Sequence, residues 1–265
     1  MYIDRSSRAL ARRYKKESKT VNSRPLFIAA AFCLLVSVFS GAARADTNAD
    51  AFDALVDEAQ AGFRAALFYA RTGNPALAGI ELGQAQDAWD GIVSKYGSNP
   101  PKAYANDSRW TADLKEIAGR VAKGLELLDM EQGKAARKEL APVRDLVYGL
   151  RDRAERKGYS ECVTDLNRQM DLLFKWRHDR PDFTKPGTAD AVMAAVVKYR
   201  DILRRCRGLA GEKLKSAADF KRIYDGADIS ISSMPAAVDR KDALGVVNIL
   251  RELRSFDRIL YFKLG

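Results

Sequence analysis

Four separate stretches of this chain repeat one apolar spacing, with offsets of 0, 4, 7, 11 and 14, and that spacing leaves few folds open. The first runs Phe52, Val56, Ala59, Phe63, Ala66; the second Ala78, Leu82, Ala85, Trp89, Ile92. The third is Ala136, Leu140, Val143, Val147, Leu150, and the fourth Val192, Val196, Tyr199, Leu203, Cys206. At 100° per residue these positions share one face of an α-helix, whereas a strand would need alternation. Trp110, Leu114, Ile117, Val121 and Leu128 form a fifth stripe. A sixth, Val246, Leu250, Leu253 and Leu260, is interrupted by Asp257.

Punctuation falls between the stripes. Thr72-Gly73-Asn74-Pro75 reads as a helix stop followed by a start, with Asn74 as cap and Pro75 at the first helical position. Gly133, Gly158 and Gly208 mark further breaks, and Pro181, Pro186 and Gly187 mark a loop. The reading is eight helices: 49–72, 75–96, 107–130, 134–157, 160–178, 188–207, 216–236 and 242–262, with Pro142 kinking the fourth. Short polar turns after the first, third and seventh imply antiparallel hairpins. The expected fold is all-α, with two tandem four-helix bundles over 46–158 and 159–265; one curved array of hairpins is the alternative.

The N-terminus has a different character. Basic residues precede an apolar run from Leu26 to Phe39, and Ala43-Arg44-Ala45 follows. That order matches a secretory signal peptide over 1–45, with Val21 as a possible true start. The apolar run is shorter than the ~20 residues of a comfortable membrane span. Cleavage after Ala45 would place the chain in the periplasm or outside the cell, with membrane contact only through the leader. An uncleaved anchor is the alternative.

The leader also changes the charge argument. The whole chain is +10, but residues 46–265 hold 36 basic and 33 acidic residues, so nucleic-acid binding is not expected. The densest basic segment runs from Lys198 to Lys215, and Arg200, Arg204, Arg205 and Arg207 form a candidate anion or partner surface.

Two cysteines remain beyond the leader. Cys162 starts one predicted helix and Cys206 ends the next, so an antiparallel hairpin brings them together and a disulfide is the natural outcome in an oxidising compartment. Met170 and the single histidine, His178, share the predicted helix with Cys162, yet the three fan around its axis and cannot jointly hold one metal ion. Met170 fits the apolar stripe, and His178 suits a helix C-terminus. C-x-x-C-H, paired Glu-x-x-His, Walker A and dinucleotide glycine motifs are all absent from the sequence, and no cofactor or catalytic residue is predicted. Carboxylate pairs such as Asp53 with Asp57 read as ordinary surface.

Helix length, the leader and small-residue helix starts such as GNPALA and QGKAAR resemble the exported four-helix bundles of the cytochrome c prime and soluble b-type cytochrome class. The resemblance implies a bundle that binds haem, through C-x-x-C-H or through a Met on the first helix and a His on the last. Helix 242–262 has neither Met nor His. The leading expectation is therefore an exported, non-enzymatic binding or accessory protein with a protein or small-molecule partner. A metal- or haem-binding bundle is the alternative, with Met170 and His178 as the available ligands.

Overall fold

A computed structural model describes residues 46–265, and the leader reading lies outside the described residues. The described chain is all-α, and no strand occurs in it. Helix α1 (Thr47–Thr72) starts where Asp46 accepts from the Ala49 N–H at 3.2 Å. It ends at Gly73, whose φ of 83° is the left-handed value that glycine takes without a Cβ clash. Asn74 accepts from the Leu77 N–H at 3.1 Å and Pro75 opens α2 (Pro75–Tyr96), as the sequence punctuation predicts.

A loop containing a short 3₁₀ turn, Lys102–Tyr104, leads to α3 (Trp110–Asp129). The predicted helix 134–157 is two helices, α4 (Gly133–Leu140) and α5 (Val143–Arg153). Pro142 has no N–H to donate back along the ladder, so its expected kink becomes a break. Helix α6 (Tyr159–Phe174) is capped by Glu161, which accepts from the Gly158 N–H at 2.9 Å. Its predicted last turn is a 3₁₀ turn, Lys175–Arg177.

After the proline-rich loop come α7 (Thr188–Leu209), the single turn α8 (Glu212–Lys215) and α9 (Ala218–Ser232). Pro235 stops α9 from running on to 236 and opens a separate short helix, α10 (Met234–Asp239). Asp242 caps α11 (Ala243–Ile259), and the chain finishes as a π-helical turn over Leu260–Leu264.

The stripes read from the sequence face inward. Phe52, Val56, Phe63, Leu82, Trp89, Ile117, Leu140 and Leu150 are among the buried residues of one apolar cluster, built from α1 to α5. Val163, Leu166, Met170, Tyr199, Leu203, Leu250 and Leu253 belong to a second, built from α6 to α11. Both lie within one compact unit of the described residues. Helix α1 packs on α2, α2 on α3, α6 on α7 and α9 on α11; the final π turn returns to α1.

Candidate binding groove

The residues singled out from the sequence fall in different places. Cys162 and Cys206 form a disulfide, with sulfurs 2.16 Å and Cα atoms 5.4 Å apart, stapling the start of α6 to the end of α7. Met170 is sealed in the second core. His178 is exposed just past the 3₁₀ turn, its ring edge-on to Phe174. One potential ligand is core and the other is surface, so the pair does not fit the haem that the bundle resemblance implies. Among the described residues no three His, Cys, Asp or Glu side chains converge on a metal position.

The arginines of α7 do not make one free surface. Arg205 pairs with Asp165 of α6 at 3.2 Å, and Arg207 pairs with Asp225 of α9 at 2.9 Å. Arg204 is exposed and Arg200 half-buried. Beside them, the groove between α6 and α7 carries mixed charge, with Asp165 and Asp201 among Arg168, Lys198 and Arg205. Attraction for an anion there is largely answered internally.

Asp57 is exposed, as its surface reading expects, but Asp53 is half-buried and both carboxylates are bound by side chains from elsewhere in the chain. Arg151, almost fully buried, donates to Asp57 at 2.7 Å, to Glu161 at 3.2 Å and to the Asp53 carbonyl at 2.7 Å. Asp53 also accepts from the Tyr104 hydroxyl and from Arg156, each at 2.5 Å. Burial alone would lower the Arg151 pKa, but Glu161 and Asp57 outweigh it and hold the guanidinium charged. Burial, then the Asp53 carboxylate, pushes the Tyr104 hydroxyl far up, so it remains a donor. Three more links extend this polar seam along the α5–α6 corner: Arg144 to Asn167 at 3.1 Å, Tyr148 to Asp165 at 2.9 Å and Arg168 to Asp145 at 2.9 Å. The seam ties α1 and α5 to α6, and so joins the two apolar clusters.

A different arrangement lies where the C-terminal turn meets α1. There α1, α9, α11 and the π turn border a cavity of about 630 Å³. Its apolar lining comes from Ala65, Phe68, Tyr69, Ile259 and Phe262. Phe68 is 44% exposed even though its ring meets Phe262 edge-on at 5.7 Å. An exposed phenylalanine in a concave site is more informative than one lying singly on a convex surface.

Its charged lining is cationic: Arg71, Arg222, Arg258 and Lys263. Asp219 satisfies two of these, pairing with Arg222 at 2.8 Å and with Lys263. Neither Arg71 nor Arg258 has a carboxylate within 4.0 Å among the described residues. The Arg258 pKa is lowered by burial and then by the neighbouring charges of Arg71 and Arg254. Two like charges are thus held near each other over an apolar floor, which favours a negative guest.

The site is hidden in the sequence because its four cations come from three separate segments, whereas charge density along the chain peaks between Lys198 and Lys215. The tail sequence RILYFKLG, which mixes aromatic and basic residues, was the available signal. No protein-family model matches the chain, and no curated protein or solved structure matches it significantly.

Proposed function

We propose that this chain is an exported, non-enzymatic binding protein, and that its working surface is the groove between α1 and the C-terminal turn. The observation that carries the reading is the pairing of a half-exposed aromatic floor with two unpaired guanidinia in one concavity. Such a cavity falls within the roughly 300–1,000 Å³ typical of small-molecule pockets. The leader-like N-terminus supports export, and a disulfide suits an oxidising compartment. This groove takes precedence over the arginines of α7, two of which are already engaged by carboxylates.

Both parts of the proposal have direct tests. N-terminal sequencing of the protein from a periplasmic fraction is expected to begin at Asp46; an intact leader on all molecules argues against export. Nile red, a neutral apolar dye, is expected to bind the purified protein at one molecule per chain. Ala65→Trp, which fills the cavity, is expected to abolish that binding while leaving the helical circular dichroism and melting temperature unchanged. Equal dye uptake by both proteins would remove the groove from consideration.

A further inference from the structure

The groove specifies its guest more closely than an apolar cavity does. Its aromatic floor, formed by Phe68 and Phe262, meets edge-on, so a flexible chain can lie along the rings. Arg71 sits in the last turn of α1 and Arg258 near the end of α11, and their charges sense each other. A guanidinium presents paired N–H donors that match a carboxylate in geometry as well as charge.

The same surroundings count against an extended peptide. The groove is bordered by helices whose backbone groups bond within the helix, and no sheet edge occurs among the described residues to pair with an incoming strand. The Thr72 hydroxyl donates within its own helix, to the Phe68 and Tyr69 carbonyls at 3.1 and 3.2 Å. A stable protein interface covers about 800 Å² on each partner, more than a cavity of this size presents.

We propose that the groove between α1 and the C-terminal turn binds the monomer of a single-chain carboxylate amphiphile, of the long-chain fatty-acid class. The chain lies on Phe68, Ile259 and Phe262, and the carboxylate sits between Arg71 and Arg258. This rests on the groove being a binding site and adds the chemistry of its occupant.

Calorimetric titration with three twelve-carbon ligands, each kept below its micelle concentration, tests it. Laurate carries a negative head, dodecanol a neutral one and dodecyltrimethylammonium a positive one. Laurate is expected to bind at one per chain, at least about tenfold more tightly than dodecanol, a factor of ~1.4 kcal/mol. Dodecyltrimethylammonium is expected to bind more weakly than dodecanol. Arg71→Gln with Arg258→Gln is expected to bring laurate to the affinity of dodecanol without changing dodecanol. Phe68→Ser with Phe262→Ser is expected to weaken laurate and dodecanol alike.

If dodecanol binds as tightly as laurate, or if the arginine variant keeps the preference, the anionic class is wrong while the groove still binds. If no ligand binds and Nile red is also refused, the groove reading itself fails. Melting temperatures equal to wild type show that these surface variants remain folded.

Discussion

Replacing Arg151 by methionine tests the polar seam that joins the two cores. Methionine keeps a flexible apolar stem but removes the guanidinium. Three groups then lose a donor: Asp57, Glu161 and the Asp53 carbonyl. Asp57 is 59% exposed and returns to water at little cost. The Asp53 carbonyl lies inside α1 and keeps its place in the helix ladder, while the Asp53 carboxylate keeps Tyr104 and Arg156. The penalty therefore concentrates on Glu161, only 3% exposed, which retains the Gly158 N–H as its bonded donor.

Removing one partner of a buried pair costs about 3–5 kcal/mol, and the surviving Gly158 bond points to the lower end, ~3 kcal/mol. At about 2–4 °C per kcal/mol for a domain of this size, the melting temperature should fall by roughly 6–12 °C. Urea unfolding followed by circular dichroism gives the free energy directly. Adding Glu161→Gln to Arg151→Met removes the stranded charge and should return most of the loss. A cost below ~1 kcal/mol for Arg151→Met, or a double variant no more stable than Arg151→Met alone, would contradict a stranded buried charge at Glu161.

Three further outcomes follow from other parts of the structure. Removing the disulfide with Cys162→Ala and Cys206→Ala frees a 44-residue separation and should cost ~4 kcal/mol on the chain-entropy account; a loss below ~1 kcal/mol in urea unfolding contradicts it. Burial raises the Asp257 carboxyl to about 6, against the pull of Asn167 and Arg254. Its folded pKa thus lies above its unfolded value, so the native state holds the proton more tightly. This group's contribution to stability is greatest below about pH 4, falls by about 3 kcal/mol as pH rises to 6, and is flat above that. Asp257→Asn should remove that decline, and parallel stability curves for the two proteins between pH 3.5 and 7 would exclude it. Within α3, Gly124→Ala places a Cβ 2.6 Å from Leu140, whereas Gly119→Ala meets nothing within 4 Å. The first should lose ~1 kcal/mol after its helix-propensity gain, and the second should gain up to ~1 kcal/mol; equal melting temperatures would contradict the close approach of α3 and α4.

Helix positions were legible because burial and periodicity coincide. Phe52, Val56, Phe63, Leu82 and Trp89 were named from spacing and all are buried. The Cys162–Cys206 pairing followed from hairpin geometry, since the start of one helix meets the end of the next. The breaks at Pro142 and Pro235 show where the same reasoning loses resolution: periodicity continues across both, but the missing N–H interrupts the ladder. Asp257 interrupted an apolar stripe, and it is buried because Asn167 donates to it at 2.8 Å. Spacing along one helix cannot reveal that partner, ninety residues away.

The same limit explains the site. Asp53 and Asp57 read as plain surface because the donors that bind them, Tyr104, Arg151 and Arg156, lie far along the chain. The basic run on α7 was conspicuous as a string, but two of its four arginines are paired in three dimensions. Arg71 and Arg258 are inconspicuous in sequence, and the fold gathers them beside Phe68 and Phe262.

Native mass spectrometry of the protein purified without detergent reads leader cleavage and occupancy of the groove together. The expected species is a chain beginning at Asp46 that carries one small anionic amphiphile, and Arg71→Gln with Arg258→Gln is expected to lose it. A bare chain that also takes up no laurate on addition would contradict binding in the groove, as would an adduct that Ala65→Trp retains in full.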